Sequence, residues 1–303
     1  MKKIIYGLLI VTAAGLLWYL FINPTDYTIN FKAKATAGTI NQTLKLWDHN
    51  LTKTRSIHKI EDIIQGQDPK HLTQIFKFND SIHTYNWRIG DTTDSITEIS
   101  VYIRDTKHSF MNKLKIPFLY TDFEKRSEKT VLDFMKNLKE HTNNIKVSII
   151  GKESIPEKYM AYIPIKSKQF EKADGMMRNF SYLTNELANS GVTLDGHPMI
   201  EITYWNQQND SIHYNFGQPI IKSDSLPKIQ DIKYKQINTK PAIKAEYNGN
   251  YITSDRAWYA LLEHAKSNNI QIESKPIEVF HNNPNVGSDV LNWKTEVYLP
   301  IAN

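Results

Sequence analysis

Glu296 and Tyr298 are the residues whose type and spacing are best suited to chemistry. In the closing run Lys294-Thr-Glu-Val-Tyr-Leu-Pro-Ile301, strand alternation puts Thr295, Val297, Leu299 and Ile301 on one face and Lys294, Glu296 and Tyr298 on the other. If helices cover the aliphatic face, Glu296 and Tyr298 look into a groove. There a partly desolvated carboxylate attracts a cation, and neighbouring rings add cation-π attraction and flat stacking surface. The same carboxylate becomes a general base if burial raises its pKa towards neutrality, with Tyr298 as an orienting donor. On an exposed strand it does neither and simply pairs with a lysine. Tyr247, Tyr251 and Trp258 are the nearest aromatic candidates. Tyr159, Tyr162, Tyr204 and Tyr214 are candidates for the opposite wall, although aromatic residues on strands ordinarily serve sheet packing.

Other chemistries find little support. The ten histidines include no His-Glu-x-x-His or comparable ligand pattern, so no metal is expected, and no cofactor. There is no Gly-rich phosphate loop and no Gly-x-Ser-x-Gly elbow. The absence of cysteine excludes disulfides, thiol catalysis and cysteine metal sites. A net charge of +5 comes from dispersed lysines, and no helix-turn-helix is readable, so nucleic acid is not an expected partner.

The elements that must position these residues occur twice. Copy one is a strand-like run from Ile155 to Tyr162, a helix through Met176, Phe180, Leu183 and Leu187, the strand Pro198-Met-Ile-Glu-Ile-Thr-Tyr204, and a close at Pro219-Ile220. Copy two is a run from Ile237 to Ile243, a helix through Trp258, Leu261, Leu262 and Ala265, the strand Pro276-Ile-Glu-Val-Phe280, and a close at Pro300-Ile301. Repetition of this kind doubles a unit that cannot bury its apolar face alone. Asn215 stands in copy one where Glu296 stands in copy two, so a site built on the pair is asymmetric.

With Tyr247-Asn-Gly-Asn-Tyr251 before the second helix, Ile277-Glu-Val-Phe-His-Asn-Asn-Pro284 and Thr295-Glu-Val-Tyr-Leu-Pro-Ile301, residues 146–303 resemble the GyrI-like, or AraC effector-binding, small-molecule domain. The resemblance implies two βαββ halves around a pseudo-twofold axis. It also implies a central groove for apolar or cationic organic molecules, faced by an acidic residue of the last strand, here Glu296.

Upstream, Ile29, Phe31 and Ala33 alternate as in a half-buried strand, and Ile40, Leu44, Trp47 and Leu51 recur at helical spacing. Leu72–Phe78, Ile82–Ile89, Ile96–Ile103 and Phe110–Phe118 read as a meander. A helix follows, opened by a Thr121/Glu124 capping box, striped by Phe123, Val131, Phe134, Met135 and Leu138, and stopped at Asn143-Asn144. This order resembles the START-like, or SRPBCC, helix-grip domain, in which Trp87, Phe76, Phe134 and Met135 would either line a cavity or fill the core.

Before it, Lys2 and Lys3 precede an uncharged run from Ile4 to Ile22. At a rise of about 1.5 Å per residue it reaches roughly 28 Å, near the thickness of a bilayer's hydrocarbon. It reads as a membrane anchor with Trp18 and Tyr19 at the far interface; a cleaved signal peptide is the alternative. The expected fold class is therefore α+β: an N-terminal transmembrane helix (1–25), a helix-grip antiparallel sheet with a long C-terminal helix (26–145), and a duplicated βαββ effector-binding domain (146–303, halves 146–222 and 229–303). The positive flank places the chain in the inner membrane as a single-pass protein with its domains on the periplasmic side, although Lys32 and Lys34 weaken that orientation. The expected function is binding of a small organic ligand, as a sensor or sequestering module, through Glu296, Tyr298, Trp258, Tyr251, Tyr247, Tyr162 and Tyr204. Its output would be sequestration or a protein contact. The alternative is a hydrolase of reactive small molecules, with Glu296 as general base.

Overall fold

A computed structural model describes residues 2–51, 58–59, 63–66, 68–78, 81–93, 95–282 and 289–302. The chain is α+β and divides into two compact units, Met1–Lys139 and Glu140–Asn303.

The first unit opens with α1 (Lys2–Leu17), continued by a π-helical segment, Trp18–Ile22. The span Lys3–Ile22 is long and apolar enough to cross a membrane, and none of it is buried in the protein. Next come β1 (Tyr27–Ala33), α2 (Ala37–Leu51), β2 (His58–Lys59), β3 (Ile64–Gln65), β4 (His71–Phe78), β5 (Ser81–Thr93) and β6 (Ile96–Asp105). They form an antiparallel sheet ordered β1-β6-β5-β4-β2, with β3 also on β4. On β6 the expected alternation holds: Thr97, Ile99, Val101 and Ile103 are buried. Two helices follow, α3 (Ser109–Lys115) and α4 (Asp122–Asn143). The α4 start is the expected capping box, with Thr121 N–H donating to Glu124 Oε2 at 2.7 Å and Glu124 N–H to Thr121 Oγ1 at 3.2 Å. Phe76, Trp87 and Phe134 are packed core, with the Trp87 and Phe134 rings 5.0 Å apart, and Met135 is partly buried against them.

The fourth strand of the expected meander is absent: Phe110–Phe118 carries α3 and a turn. Apolar residues at 110, 114 and 118 satisfy a period of two and a helical period alike. The choice is made upstream, where Asp105 Oδ1 accepts the backbone N–H groups of Lys107 and His108 at 3.0 and 3.1 Å and turns the chain out of β6 into a helix.

The second unit contains β7 (Lys146–Ile155), β8 (Lys158–Lys168), α5 (Lys172–Asn189), β9 (Met199–Asn206), β10 (Ser211–Pro219), β11 (Lys233–Ile237), β12 (Lys240–Asn248), α6 (Arg256–Ser267), β13 (Ile277–Phe280) and β14 (Lys294–Pro300). Its antiparallel sheet is ordered β11-β8-β10-β9-β13-β14-β12-β7. Outward from the central β9–β13 pair, each side meets the last strand of a strand–helix–strand–strand run and then its first. The main core lies on one face, where α5 and α6 bury Ile200, Phe216, Ile243, Ala245, Val297 and Leu299. A smaller cluster of Met160, Met199, Ile277 and Tyr298 occupies the other face.

Candidate functional site

The second unit holds a cavity of about 600 Å³ on the helix-covered face. Met176, Met177 and Phe180 of α5 form one wall, and Tyr251, Phe280 and Trp293 another. The second wall is built by the Tyr247–Tyr251 segment. Gly249 has φ +151°, a conformation an L side chain rarely adopts, and lets the chain turn sharply after β12. Tyr247 Oη then lies 2.9 Å from the Asn250 carbonyl and 2.8 Å from Thr253 Oγ1, while Tyr251 Oη accepts Asn282 N–H at 2.9 Å. These bonds hold the Tyr251 ring 4.9 Å from Phe280 and 5.5 Å from Trp293. Imidazoles of His197 and His281, with ring centroids 4.5 Å apart, supply polar lining.

Beside this cavity a carboxylate and an ammonium are completely buried. Lys172 Nζ, in the first turn of α5, lies 2.7 and 2.6 Å from the two carboxylate oxygens of Glu278 on β13. It also lies 2.7 Å from Ser254 Oγ and 4.8 Å from the centre of the Trp258 ring. Trp258 Nε1 donates to Glu278 Oε1 at 2.7 Å and Ser254 Oγ to Oε2 at 3.1 Å. Burial pushes the Glu278 carboxyl up, opposed by the ammonium. The donors around it are those of an ionised carboxylate, and its place next to an ammonium over an indole face is already taken by the chain's own lysine.

Glu296 lies on the opposite face of the sheet, with Tyr298 and away from the helices. Its Oε1 is 3.2 Å from Lys244 Nζ and 3.1 Å from Lys294 Nζ, and Tyr298 Oη donates to Oε2 at 2.9 Å. Lys294 Nζ also reaches Glu246, which pairs directly with Glu296 across β12 and β14. The lysine thus bridges two like charges that would otherwise repel. His281 Nε2 sits 3.5 Å from Glu296, too far for a good hydrogen bond. Burial alone raises the Glu296 carboxyl, but hydrogen bonds from Lys294, Tyr298 and Lys244 outweigh it and bring it down to about 2. A carboxylate held there is a poor general base at neutral pH. Lysines pair Glu296 as in the exposed-strand alternative, but its side chain is only 17% exposed, and a carboxyl at about 2 does not meet the condition for base catalysis, a pKa near neutrality.

The expected ligand residues do not converge. Tyr251 lines the cavity. Trp258 and Tyr247 are buried in the core around it. Tyr298 and Tyr162 belong to the other face, and Tyr204 is exposed on β9 with its ring 4.8 Å from His213. Sequence reasoning missed Lys172 and Glu278. The available signal was the Pro-to-Glu spacing, three residues in Pro198–Glu201 and two in Pro276–Glu278. In register, Ile277 faces Glu201 and Glu278 faces Ile200, so one residue fewer turns the second carboxylate towards the helices. Glu201 stays on the far face, bound by Lys235 Nζ at 2.7 Å and by Asn215 Nδ2 at 2.7 Å. Among the described residues no group of three or more His, Asp or Glu is placed to hold a metal ion. Residues Asn283 and Pro284 of the loop after β13 lie outside the described residues.

No protein-family model matches this chain, and no curated protein matches it. Among solved structures it is similar to the C-terminal domain of EcmrR at 16% identity, covering 52% of this chain and 98% of that one, with a TM-score of 0.43. It is also similar to SAV2435 bound to tetraphenylphosphonium, at 9% identity over 52% and 94% of the two chains, TM-score 0.37. A hydrolase from Listeria innocua is 12% identical over 50% and 92%, TM-score 0.33. At these identities and scores none of them decides a ligand or an activity.

Removing one partner of a buried ion pair strands the other charge. Lys172→Met is therefore expected to cost about 3–5 kcal/mol in chemical denaturation, and Lys172→Met/Glu278→Gln to recover most of it. A double variant as unstable as the single would show that packing, not charge, is at stake. The Glu296 carboxyl, depressed from an ordinary 4.5 to about 2, contributes stability that is present above about pH 4.5 and lost as pH falls through about 2. The difference in stability between wild type and Glu296→Gln should shrink across that window, as followed by acid-dependent unfolding; a constant difference would place the group in solvent.

Proposed function

We propose that residues 146–303 form a GyrI-like small-molecule-binding domain of two βαββ halves, 146–222 and 229–303, which holds a flat, apolar organic molecule. The observation that carries this reading is the cavity of about 600 Å³ walled by thioethers and aromatic rings. Its size falls within the range of ordinary ligand pockets, roughly 300–1,000 Å³. Methionines adapt to varied shapes and aromatic faces stack on flat ones, which suits a sensor or sequestering module more than a single-substrate enzyme. Charge supports a neutral ligand over a cationic one: Glu278 is neutralised by Lys172, and Glu296 is occupied by Lys244 and Lys294. The ligand contacts proposed are Tyr251, Met176, Met177, Phe180, Phe280 and Trp293, in place of Glu296 and Tyr298.

In this proposal the domain is carried by a membrane-anchored chain, with Lys3–Ile22 as the single span and residues 26–145 as a helix-grip domain. The amphipathic α4 against an antiparallel sheet supports the latter. Lys2 and Lys3 favour a cytoplasmic N-terminus and periplasmic domains.

Neutral polycyclic aromatics should raise the melting temperature of the full chain in detergent, and positively charged isosteres should do no better. Met177→Trp, at an exposed position on the cavity mouth, should abolish the shift while leaving the unliganded melting temperature near that of wild type. Retention of the shift in that variant, or a clear advantage for cations, would overturn the site. For topology, an alkaline phosphatase fusion after Asn303 should be active in a bacterial host; an inactive fusion alongside a fluorescent cytoplasmic one would reverse the orientation.

A further inference from the structure

Outside the apolar N-terminal helix, six exposed large apolar side chains of the first unit cluster in one short stretch, whereas Ile64, Ile96 and Leu132 are exposed singly. Phe110, Met111 and Leu114 project from α3, and Phe118, Leu119 and Tyr120 follow in the turn, with Phe118 84% exposed. The turn is ordered: the N–H groups of Phe118 and Leu119 both donate to the Lys115 carbonyl, at 2.9 and 2.8 Å. Clustered exposure of this kind marks an interaction surface, whereas scattered apolar residues need no explanation.

The fold indicates what covers it. The Phe110 ring lies 5.5 Å from that of Phe21, in the last turn of the apolar N-terminal helix. Tyr19 Oη donates to the Lys113 carbonyl at 3.3 Å. The Lys113 ammonium is buried, donating to the Asn23 carbonyl and lying 3.7 Å from Asp26 Oδ1. Ser109 Oγ donates to the same Asp26 oxygen at 2.5 Å. Both ends of α3 are thus tied to the segment where the apolar helix stops. A helix of 20 residues is about 30 Å long, the thickness of the hydrocarbon layer, so Phe21 lies at its boundary and Phe110 lies at the same depth. Lys107 and Lys115 are exposed beside these apolar side chains, the pairing found in segments that lie in an anionic interface.

We infer that α3 and the Phe118–Tyr120 turn form a second membrane contact, seated in the headgroup layer of an anionic bilayer beside the exit of the spanning helix. A lone helix tethers a domain; two contacts held together by Lys113 and Asp26 set the orientation of the first unit on the membrane. The inference rests on the reading of Lys3–Ile22 as a membrane span.

The chain has no cysteine, so single nitroxide labels can be placed on the full-length protein in phosphatidylethanolamine/phosphatidylglycerol vesicles. Phe118→Cys and Leu119→Cys test the contact, with Leu9→Cys as lipid reference and Glu98→Cys, on the β6 surface, as water reference. Labels at 118 and 119 should be several-fold less accessible to a water-soluble nickel chelate than the label at 98, and more accessible to oxygen. Accessibility at 118 and 119 equal to that at 98, with the label at 9 in lipid, would overturn the contact and leave the anchor standing. Dipolar broadening at 118 would also overturn it, assigning the surface to a second copy of the chain. A label at 9 that behaves like the one at 98 would remove the anchor and the inference together.

Discussion

The buried pair of Lys172 and Glu278 is the constraint on which the second unit depends. A pair of this kind adds little net stability over apolar residues of the same volume, because desolvation cancels much of the attraction, but it penalises any arrangement that separates the charges. Here it ties the first turn of α5 to β13 in the middle of the sheet. Gly175 completes the docking: a Cβ there would collide with Tyr214 Oη, which donates to the Lys172 carbonyl at 3.0 Å. With that turn located, Ala173, Met176, Met177 and Phe180 follow as one wall of the cavity. Pair and cavity are two results of one helix position.

Charge is handled on both faces of the sheet by internal partners. On the helix face one carboxylate is enclosed with one ammonium. On the other face Glu201 is held by Lys235 and Asn215, and Glu246 and Glu296 share Lys294, with Lys244 completing the array. The cavity is lined mainly by thioether, aromatic and imidazole groups, with Ser181, Asn250 and Asn282 also at its wall. The same economy appears in the first unit, where Asp26 and Lys113 fasten α3 to the end of the apolar helix without leaving either charge in solvent.

Much of the architecture was readable from periodicity. The two amphipathic helices of the second unit, the three strands β4 to β6, the capping box of α4 and the apolar N-terminal run all have strong local signals, because each is specified by residues a few positions apart. An element was misread where two periods coincide. Phe110, Leu114 and Phe118 fit strand and helix equally, and Asp105 decided between them. Glu296 lies opposite Val297 and Leu299, as alternation requires, and the cavity, walled mainly from the helix side, approaches it through His281.

The sequence by itself determined most of the elements and the alternation of the strands, since these follow from local spacing and from the pleat. Only the tertiary structure decided which carboxylate looks towards the helices and whether its charge is free. The difference between Pro198–Glu201 and Pro276–Glu278 is visible in the chain, but its meaning depends on the β9–β13 register. That Lys172 fills the place beside Glu278 depends on packing between residues 106 positions apart, a distance over which no local rule of sequence acts.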